Sequence, residues 1–332
     1  MTRKTKSLIS VFLSIILLCS IIISSIVLFS GCEKAVEGKD GYYLFCYFVG
    51  NKPEEETVHF AISNDGYNFS PLNDNKAVIE QTKGTLSSRD PFIFRANDKY
   101  YIIATDMKSD LGWNSNYSMV IWESTDLINW TNERIINIRE HEGFEHSCRV
   151  WAPEVIYDSE VNKYMVYWAN CLDTDWKTYM VYAYLNDDFT DVGEIKTLYQ
   201  STSGHDAIDG DIVYVNDTYY LYFKDENEKR IKYVTSKNVT GPYVESENMD
   251  VTTTNKDVEG CCTYNIVGTD TYVMIMDQYD KNKYYMQSTT KDSMVEFKQV
   301  RSTDYNFKFS PRHGSMLIIS KEEYERLSSA TW

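Results

Sequence analysis

Five short segments of the chain each open a strand-like run, and four of them do so with a residue that could take part in chemistry. The first residues are three acids, one alanine and one histidine, and each is followed by Pro or Gly: Asp90, Ala152, Asp209, Glu259 and His313. Carboxylates held close together in a partly dry site repel one another, so clustering them is costly and indicates function. A pair of carboxyl groups can supply a general base and a general acid.

An ordinary structural explanation exists for each acid taken alone. An Asp before Pro or Gly often caps a turn by accepting backbone hydrogen bonds. Three acids at one position of a repeat are poorly explained in this way, so we favour a catalytic set of Asp90, Asp209 and Glu259. Two interpretations of His313 stay open: it is an ion ligand, or it is a hydrogen-bonded residue of the site wall.

The elements that must position these residues recur along the chain. Five times an aromatic residue closes a short polar segment, at intervals of 61, 59, 54 and 54 residues: Phe69, Trp130, Phe189, Tyr243 and Phe297. Repeats of this length, made of strand-like runs and polar turns, are typical of a β-propeller with one repeat per blade. The sequence therefore predicts an all-β fold, a five-bladed β-propeller.

Each repeat contains tyrosine-rich runs separated by short Asn, Asp or Gly turns, a pattern typical of β-hairpins. We expect four strands per blade, with the aromatic residue on the outermost strand. The blade that closes the ring combines strands between residue 41 and Phe69 with a C-terminal strand that starts at His313. A short helix is expected at residues 322–326.

The innermost strands of a propeller run in one direction beside the central channel. Their aligned first residues should therefore converge at one mouth of that channel. Asp211 lies two residues after Asp209 and shares a face of the same strand, so it competes for the same role. We favour Asp209, because its register matches that of Asp90 and Glu259 and because Asp211 would lie deeper.

The five motifs, taken in order, resemble those of glycoside hydrolase family 43. They are Arg89-Asp90-Pro91, Trp151-Ala152-Pro153-Glu154, Ile208-Asp209-Gly210, Val258-Glu259-Gly260 and Arg312-His313-Gly314. Each motif alone is weak, but five in order and in register are a specific signal. The resemblance covers about residues 41–320 and implies a propeller enzyme that acts on arabinose- and xylose-containing glycans. One departure is Cys261, which follows Glu259-Gly260 where the family commonly has Pro.

The resemblance also implies roles for the acids in an inverting mechanism that needs no cofactor for its chemistry. Asp90 would be the general base, Glu259 the general acid, and Asp209 the residue that orients the acid and helps keep it protonated. His313 resembles the family's histidine beside a central calcium or other ion, which is bound largely through water. Arg89 and Arg312 would contact sugar hydroxyls or hold carboxylates in place.

The loop from Asp106 to Tyr117 is rich in groups that bind sugars. Trp113 could stack on the apolar face of a sugar ring, and Asp110 could bind its hydroxyls. Trp151 is a second candidate for stacking. The alternative for either tryptophan is packing between blades.

Composition limits the classes of partner. The formal net charge of −16 argues against nucleic acid, whose phosphates would be repelled, and fits an oligosaccharide or polysaccharide substrate. Cys46, Cys148, Cys171, Cys261 and Cys262 form neither a disulfide framework nor a CxxC zinc motif, so we expect buried free thiols. We expect the protein to be a monomer.

The N-terminus predicts export. Residues 1–31 combine three basic residues, an uncharged apolar run and a Ser-Gly pair before Cys32, which is typical of a bacterial lipoprotein signal. Lipidated Cys32 would begin a tether at residues 32–40, followed by a catalytic domain at 41–332. The alternative is an uncleaved anchor, since the apolar run is long enough to span a bilayer. Both place the domain outside the cytoplasm, at the cell surface or secreted, with the membrane contacted only through the N-terminus.

Three functions remain to be weighed. The first is an exo-acting, inverting α-L-arabinofuranosidase, with β-xylosidase or another pentosidase of the same family as the alternative. The second is a cell-surface glycan-binding lipoprotein without catalysis, which would not need all three acids. The third is a retaining, fructan-cleaving relative, which is disfavoured because residues 41–51 lack an Asn-Asp-Pro motif.

Overall fold

Alternating strands and short turns build five antiparallel sheets in the computed structural model, which describes residues 41–251, 256–281 and 283–332. The predicted signal segment, the tether and Cys32 lie outside the described residues. The first sheet joins β1 (Tyr42–Tyr47), β2 (His59–Ser63) and β3 (Ser70–Pro71) with β19 (Gly314–Ile319) from the other end of the chain.

The next two sheets follow one another along the chain, and each has four strands. The second contains β4 (Ser88–Ala96), β5 (Lys99–Asp106), β6 (Ser118–Ser124) and β7 (Thr131–Asn137). The third contains β8 (Ser147–Asp158), β9 (Lys163–Leu172), β10 (Thr178–Tyr184) and β11 (Lys196–Tyr199).

The fourth sheet contains β12 (Ala207–Val215), β13 (Thr218–Asp225) and β14 (Arg230–Ser236). The fifth contains β15 (Glu259–Asn265), β16 (Thr271–Gln278), β17 (Lys283–Thr290) and β18 (Lys298–Gln299). One helix, α1 (Lys321–Ser328), follows β19 and confirms the short helix expected there. Within the described residues, no helix has both the length and the apolar character to cross a membrane.

The inner strands close into a ring. β19 contacts β4, β4 contacts β8, β8 contacts β12, β12 contacts β15, and β15 contacts β19 again. β1 pairs with β19 from Tyr42–Ile319 to Tyr47–Gly314, so one blade contains both ends of the described chain. The predicted five-bladed β-propeller, closed by N- and C-terminal strands, is confirmed.

The hydrophobic core consists of five layers, each between two neighbouring blades. Trp122 lies in the layer between the first and second blades, and Trp168 lies in the next layer. Phe69, Phe189 and Phe297 are buried in three of the five layers, which explains why aromatic residues recur at these positions.

Two details of the predicted blades are wrong. Phe69, Trp130 and Phe297 come immediately before the outermost strands rather than within them. The fourth blade has three strands in its described part, and only single bridges at Val244 and Asp250 continue it. The segment beyond β14 contains Gly241-Pro242, and Pro lacks the N–H that a regular ladder needs.

The polar turns before the aromatic positions have a clear local cause. Asp65 Oδ1 accepts backbone hydrogen bonds from Tyr67 and Asn68, at 2.7 Å each. Asp126 Oδ1 repeats this arrangement one blade later, with Ile128 at 2.9 Å and Asn129 at 2.8 Å. These Asx turns set the direction in which the chain enters the outer part of the blade.

Candidate active site

A β-bulge interrupts the pairing of four of the five inner strands with the second strand of their blade. The ladder to the second strand shifts between Arg89 and Phe92, and shifts at the same point in the next three blades. In each case one residue of the bulge has a positive φ between 48° and 60°: Asp90, Ala152, Asp209 and Gly260. A bulge changes the direction of a side chain next to the channel, and such bulges are common beside active sites.

The bulges correct the predicted register of one acid. Glu259 was aligned with Asp90 and Asp209, but the residue that matches them in conformation is Gly260. Glu259 stands one position earlier and pairs with Asp277, as Ile208 pairs with Lys224 in the blade before. The general-acid candidate therefore approaches the channel mouth from a different backbone position than the other two acids.

The structure nevertheless brings the predicted acids together. Asp90, Asp209 and Glu259 line one cavity of about 360 Å³ together with His313. Arg89, Arg312, Trp113 and Trp151 also line this cavity, as the sequence predicted. Asp110 is exposed and is not among the lining residues.

Asp90 is held in its charged form. Its Oδ2 accepts a hydrogen bond of 3.0 Å from Thr105 Oγ1. The same hydroxyl oxygen accepts a hydrogen bond of 2.8 Å from the backbone N–H of Ala152. Its Oδ1 lies 3.3 Å from Nδ1 of His313. Burial acts to raise the pKa of Asp90, but His313 and Arg89 more than offset it and the pKa is lowered. An ionised carboxylate is what a general base requires.

Asp209 and His313 form the second part of the site. Asp209 Oδ2 accepts a hydrogen bond of 2.9 Å from the backbone N–H of Gly260. Burial, together with the charges of Glu259 and Asp90, raises the pKa of Asp209 to about 6 against the opposing effect of His313. Burial would lower the pKa of His313, but Asp209 and Asp90 raise it to about 9, so the ring is a cation at neutral pH.

Gly260 is required by the packing around His313. Its φ is 60°, and a Cβ at this position would stand 2.6 Å from both Cβ and Cγ of the histidine. Any other residue would displace the ring that lies between Asp90 and Asp209. The Glu-Gly pair in the sequence thus has a steric cause.

Glu259 is paired with two cations. Its Oε2 accepts a hydrogen bond of 2.6 Å from Lys224 Nζ, and its Oε1 accepts a hydrogen bond of 2.9 Å from Arg312 Nη2. Burial acts to raise the pKa of Glu259, but Lys224 and Arg312 lower it below its ordinary value. Two adjacent cations outweigh one neighbouring anion in this arrangement. The expectation that Asp209 helps keep Glu259 protonated stays a prediction.

The two arginines hold other groups of the site in place. Arg312 also bonds to the fully buried Asp277, whose pKa is raised to about 7, chiefly by burial. Arg89 Nη1 donates a hydrogen bond of 3.0 Å to Glu56 Oε1. Its Cζ lies 4.4 Å from the ring centre of Phe48 and 5.2 Å from that of Trp113. Both arginines therefore fix carboxylates, and Arg89 in addition supports a tryptophan of the cavity wall.

Lys224, Glu226, Lys229 and Tyr279 line the cavity and were missed by sequence reasoning. One signal could have found Lys224. In four of the five blades, the apolar run of the second strand ends in a polar residue next to the channel mouth: Thr105, Asn170, Lys224 and Asp277. Asp211, the competitor of Asp209, is buried and does not line the cavity.

His313 Nδ1 faces two carboxylates, at 3.3 Å from Asp90 Oδ1 and 4.0 Å from Asp209 Oδ1. Calcium takes six to eight oxygen ligands. The water-mediated ion expected beside His313 stays a prediction.

A second group of possible ligands is already satisfied. In the described part of the chain, one cluster brings three potential ligand atoms close together: His205, Asp225 and Glu228. There Lys232 Nζ lies 3.0 Å from Asp225 and 2.7 Å from Glu228, so an ammonium group already supplies the positive charge. This cluster carries no metal assignment.

The five buried thiols are confirmed as free cysteines. Cys261, which stands where the resemblance led us to expect Pro, lies 3.5 Å from the backbone carbonyl of Asp209. It therefore packs against the bulge of the neighbouring blade.

Comparison with known proteins finds similar sequences and similar folds. A family model described as a probable glycosyl hydrolase domain, of the group related to family 43, matches residues 40–325. An α-L-arabinofuranosidase of Bifidobacterium longum subsp. longum is 30% identical over 202 residues, which are 53% of this chain and 18% of that protein. The chain thus spans less than a fifth of the length of this curated relative.

Solved structures show the same fold. The α-L-arabinanase of Cellvibrio cellulosa, in complex with arabinohexaose, has a TM-score of 0.58 at 17% identity and covers 82% of this chain and 96% of its own. An endo-1,4-β-xylanase from Bacteroides thetaiotaomicron has a TM-score of 0.58 at 14% identity, with 78% and 91% covered. An exo-1,5-α-L-arabinanase from a bovine ruminal metagenomic library has a TM-score of 0.57 at 15% identity, with 80% and 95% covered.

Proposed function

The chain belongs to the family of probable glycosyl hydrolase domains related to glycoside hydrolase family 43, and on this premise we propose that it is an inverting, exo-acting glycosidase. The resemblance found in the five motifs is thereby confirmed. The observation that carries the proposal is the convergence of Asp90, Asp209 and Glu259 on one cavity. Asp90 is the general base, Glu259 the general acid, and Asp209 the residue that orients the strand of the acid.

The chemistry follows from these positions. Asp90, kept ionised by His313 and Thr105, removes a proton from a water molecule, whose oxygen attacks the anomeric carbon. Glu259 gives a proton to the departing glycosidic oxygen as the bond to that carbon breaks. Inversion needs space for the water between base and sugar, so the two carboxyl groups act from opposite sides of the ring.

We further propose α-L-arabinofuranosides of plant polysaccharides as substrates. The support is the name of the matched relative, an α-L-arabinofuranosidase. β-Xylosidase or another pentosidase activity is the alternative, because structural neighbours include a xylanase as well as arabinanases. The cavity wall formed by Trp113 and Trp151 favours binding of a terminal sugar, hence exo action.

A panel of aryl glycosides tests this function. The protein without residues 1–31 is incubated with aryl α-L-arabinofuranoside, β-D-xyloside, β-D-galactoside and β-D-glucoside, and its folding is checked by circular dichroism. Release of the aryl alcohol from a pentoside supports the proposal. Absence of turnover of every pentoside by the folded protein rejects it, and oligosaccharide binding without product would point to the non-catalytic alternative.

We also propose an extracytoplasmic location, with lipidated Cys32 as the anchor. The support is the basic, apolar and small-residue pattern that precedes Cys32. Labelling of the full chain with a radioactive fatty acid, lost in Cys32→Ala, is the expected result; unlabelled protein of unprocessed size would favour an uncleaved anchor. Light scattering of the chain without residues 1–31 tests the proposed monomer.

A further inference from the structure

Lys224 is a buried cation in the wall of the cavity. Its side chain is 2% exposed, and it stands near the end of β13, opposite Ile208 and directly before Asp225. Burying an ammonium group is costly unless carboxylates compensate it. Lys224 belongs to the fourth blade, yet the carboxylate nearest to it is Glu259 of the fifth blade. The lysine therefore joins two blades at the general acid.

Lys224 is shared between two carboxylates. Its Nζ lies 2.6 Å from Glu259 Oε2 and 3.3 Å from Glu226 Oε1, and 4.6 Å from the ring centre of Tyr279. Glu226 follows β13 in the loop at the cavity rim and also pairs with Lys229. The ammonium group thus has a second anionic partner within reach of its flexible stem.

The second cation on Glu259 is held more firmly. Arg312 bonds to Glu259 and also to Asp277, which is fully buried behind it. It also lies 5.5 Å from the ring centre of Phe48. A guanidinium group fixed by a buried carboxylate cannot leave Glu259 without leaving Asp277 unpaired. Of the two cations, Lys224 is therefore the one that can move.

This pairing opposes the chemistry assigned to Glu259. A general acid must carry a proton, whereas an opposite charge within about 4–6 Å lowers a carboxyl pKa by about 1–3 units. The charged and titratable groups that face Glu259 from the surrounding elements are Lys224, Arg312, Asp277, Asp209, Asp90, Glu226 and Tyr279. Lys224 and Arg312 both contact Glu259 and a second carboxylate, but the second partner of Lys224 is Glu226 in the loop after β13, whereas that of Arg312 is the buried Asp277.

We propose that Lys224 is a positioning residue that controls the proton on Glu259, moving from Glu259 to Glu226 when the leaving-group sugar enters. Glu259 then takes a proton from bulk water and delivers it to the departing glycosidic oxygen. Lys224 remains an ammonium ion throughout, so no proton passes through it. This inference rests on the proposed glycosidase function and on Glu259 as its acid.

The pH dependence of kcat/KM tests the inference. Its alkaline limb reports the pKa of the group that must be protonated in the free enzyme. The substrate is the pentoside that the wild-type protein hydrolyses, with an alkyl or sugar alcohol as leaving group, so that proton donation is required. Lys224→Met removes the charge and should move the alkaline limb up by at least about one pH unit.

Two further variants predict the direction in which the alkaline limb of the pH profile moves. Glu226→Gln removes the carboxylate to which Lys224 moves and leaves Lys224 on Glu259 in the enzyme–substrate complex. The alkaline limb of kcat, which reports that complex, should therefore move to lower pH, opposite to the shift of kcat/KM in Lys224→Met. Lys224→Arg keeps the charge and should restore the limb of kcat/KM to within about half a unit of wild type. Lys232→Met is the matched control, because Lys232 is also buried on two carboxylates but does not line the cavity; its limb should not move.

The outcomes separate this inference from the function on which it rests. A wild-type protein that hydrolyses no glycoside overturns the proposed function itself. An active wild-type protein whose alkaline limb is unchanged in Lys224→Met overturns the role of Lys224. If Lys224→Met does not fold, the decision rests on Glu226→Gln, and an unchanged or upward-shifted alkaline limb of its kcat rejects the inference.

Discussion

Asp209 and Gly260 are joined across two blades by a hydrogen bond of 2.9 Å, from the backbone N–H of Gly260 to Oδ2 of Asp209. Both residues have a positive φ and occupy the same position in the bulge of their inner strands. Because Gly260 follows Glu259 directly, this bond fixes the backbone next to the proposed general acid relative to Asp209. It supports the proposed role of Asp209 in orienting that acid.

The first prediction concerns this bond. Asp209→Asn can keep the hydrogen bond and should fold normally, but it should lower kcat by about 10²-fold or more because the charge is lost. Asp209→Ala also leaves the Gly260 N–H without its partner, at a cost of about 1–3 kcal/mol in unfolding free energy. Kinetics and urea unfolding measure the two effects separately.

Asp211→Asn is the matched control for Asp209→Asn. It changes an Asp two residues further along the same strand that does not line the cavity. Its kcat should stay within about tenfold of wild type. A loss as large as that of Asp209→Asn would show that the assignment of Asp209 over Asp211 is wrong.

The second prediction separates acid from base. Glu259→Gln should lose about 10²–10⁴-fold in kcat/KM on a glycoside with a poor leaving group, and far less on a dinitrophenyl glycoside, whose leaving group departs without protonation. Asp90→Asn should lose activity to a similar extent on both, because the attacking water lacks its base. The ratio of kcat/KM on the two substrates is the readout, and the same ratio in both variants would contradict the assigned roles.

The sequence predicted the ring of blades because its aromatic positions recur at nearly constant intervals. The same repeat placed Asp90 and Asp209 at one mouth of the channel, since inner strands share a direction. The sequence also predicted that Glu259 lines this cavity, but it aligned Glu259 with Asp90 and Asp209. In the structure Gly260, the next residue, is their counterpart, because it is the positive-φ residue of the bulge in β15. Bulges depend on how strands pack around the channel, and a local motif does not show them.

Lys224 shows a second limit of sequence reasoning. It stands near the end of an apolar strand, where a lysine side chain is ordinarily expected to be exposed to solvent. Its burial results from Glu259, which lies 35 residues later and in the next blade. The pairing therefore appears only when the blades are assembled.

The third prediction follows from the raised pKa of His313. Its pKa is about 6.5 in the unfolded chain and about 9 in the folded protein, so its contribution to stability is complete below pH 6.5 and is lost as the pH rises to 9. The free energy of unfolding should therefore fall by about 2–3 kcal/mol over this range. Asp211 and Asp277 have pKa values raised to about 7, so their deprotonation also lowers the free energy of unfolding, at the lower end of this pH range.

Urea unfolding at pH 6.5 and pH 9 measures this difference. His313→Asn should be less stable at pH 6.5 and should show a much smaller fall between the two pH values. An equal fall in variant and wild type would place the effect elsewhere than on His313.

The fourth prediction concerns Trp113. It is 49% exposed on the cavity wall and stacks near Arg89, so Trp113→Ala should raise KM about 3–10-fold with little change in kcat. Trp113→Phe keeps an aromatic face and should recover part of the loss. Trp176→Ala is the matched control, since Trp176 is 54% exposed but does not line the cavity; an equal rise in its KM would argue against a stacking role specific to Trp113.

The configuration of the first sugar released tests the central claim most directly, because it reports whether Asp90 activates water or attacks the sugar itself. Proton NMR during the first turnovers of the hydrolysed pentoside should show the anomer opposite to that of the substrate, before mutarotation mixes the two. Initial release of the retained anomer would contradict a mechanism in which Asp90 acts as base and Glu259 as acid on opposite sides of the bond.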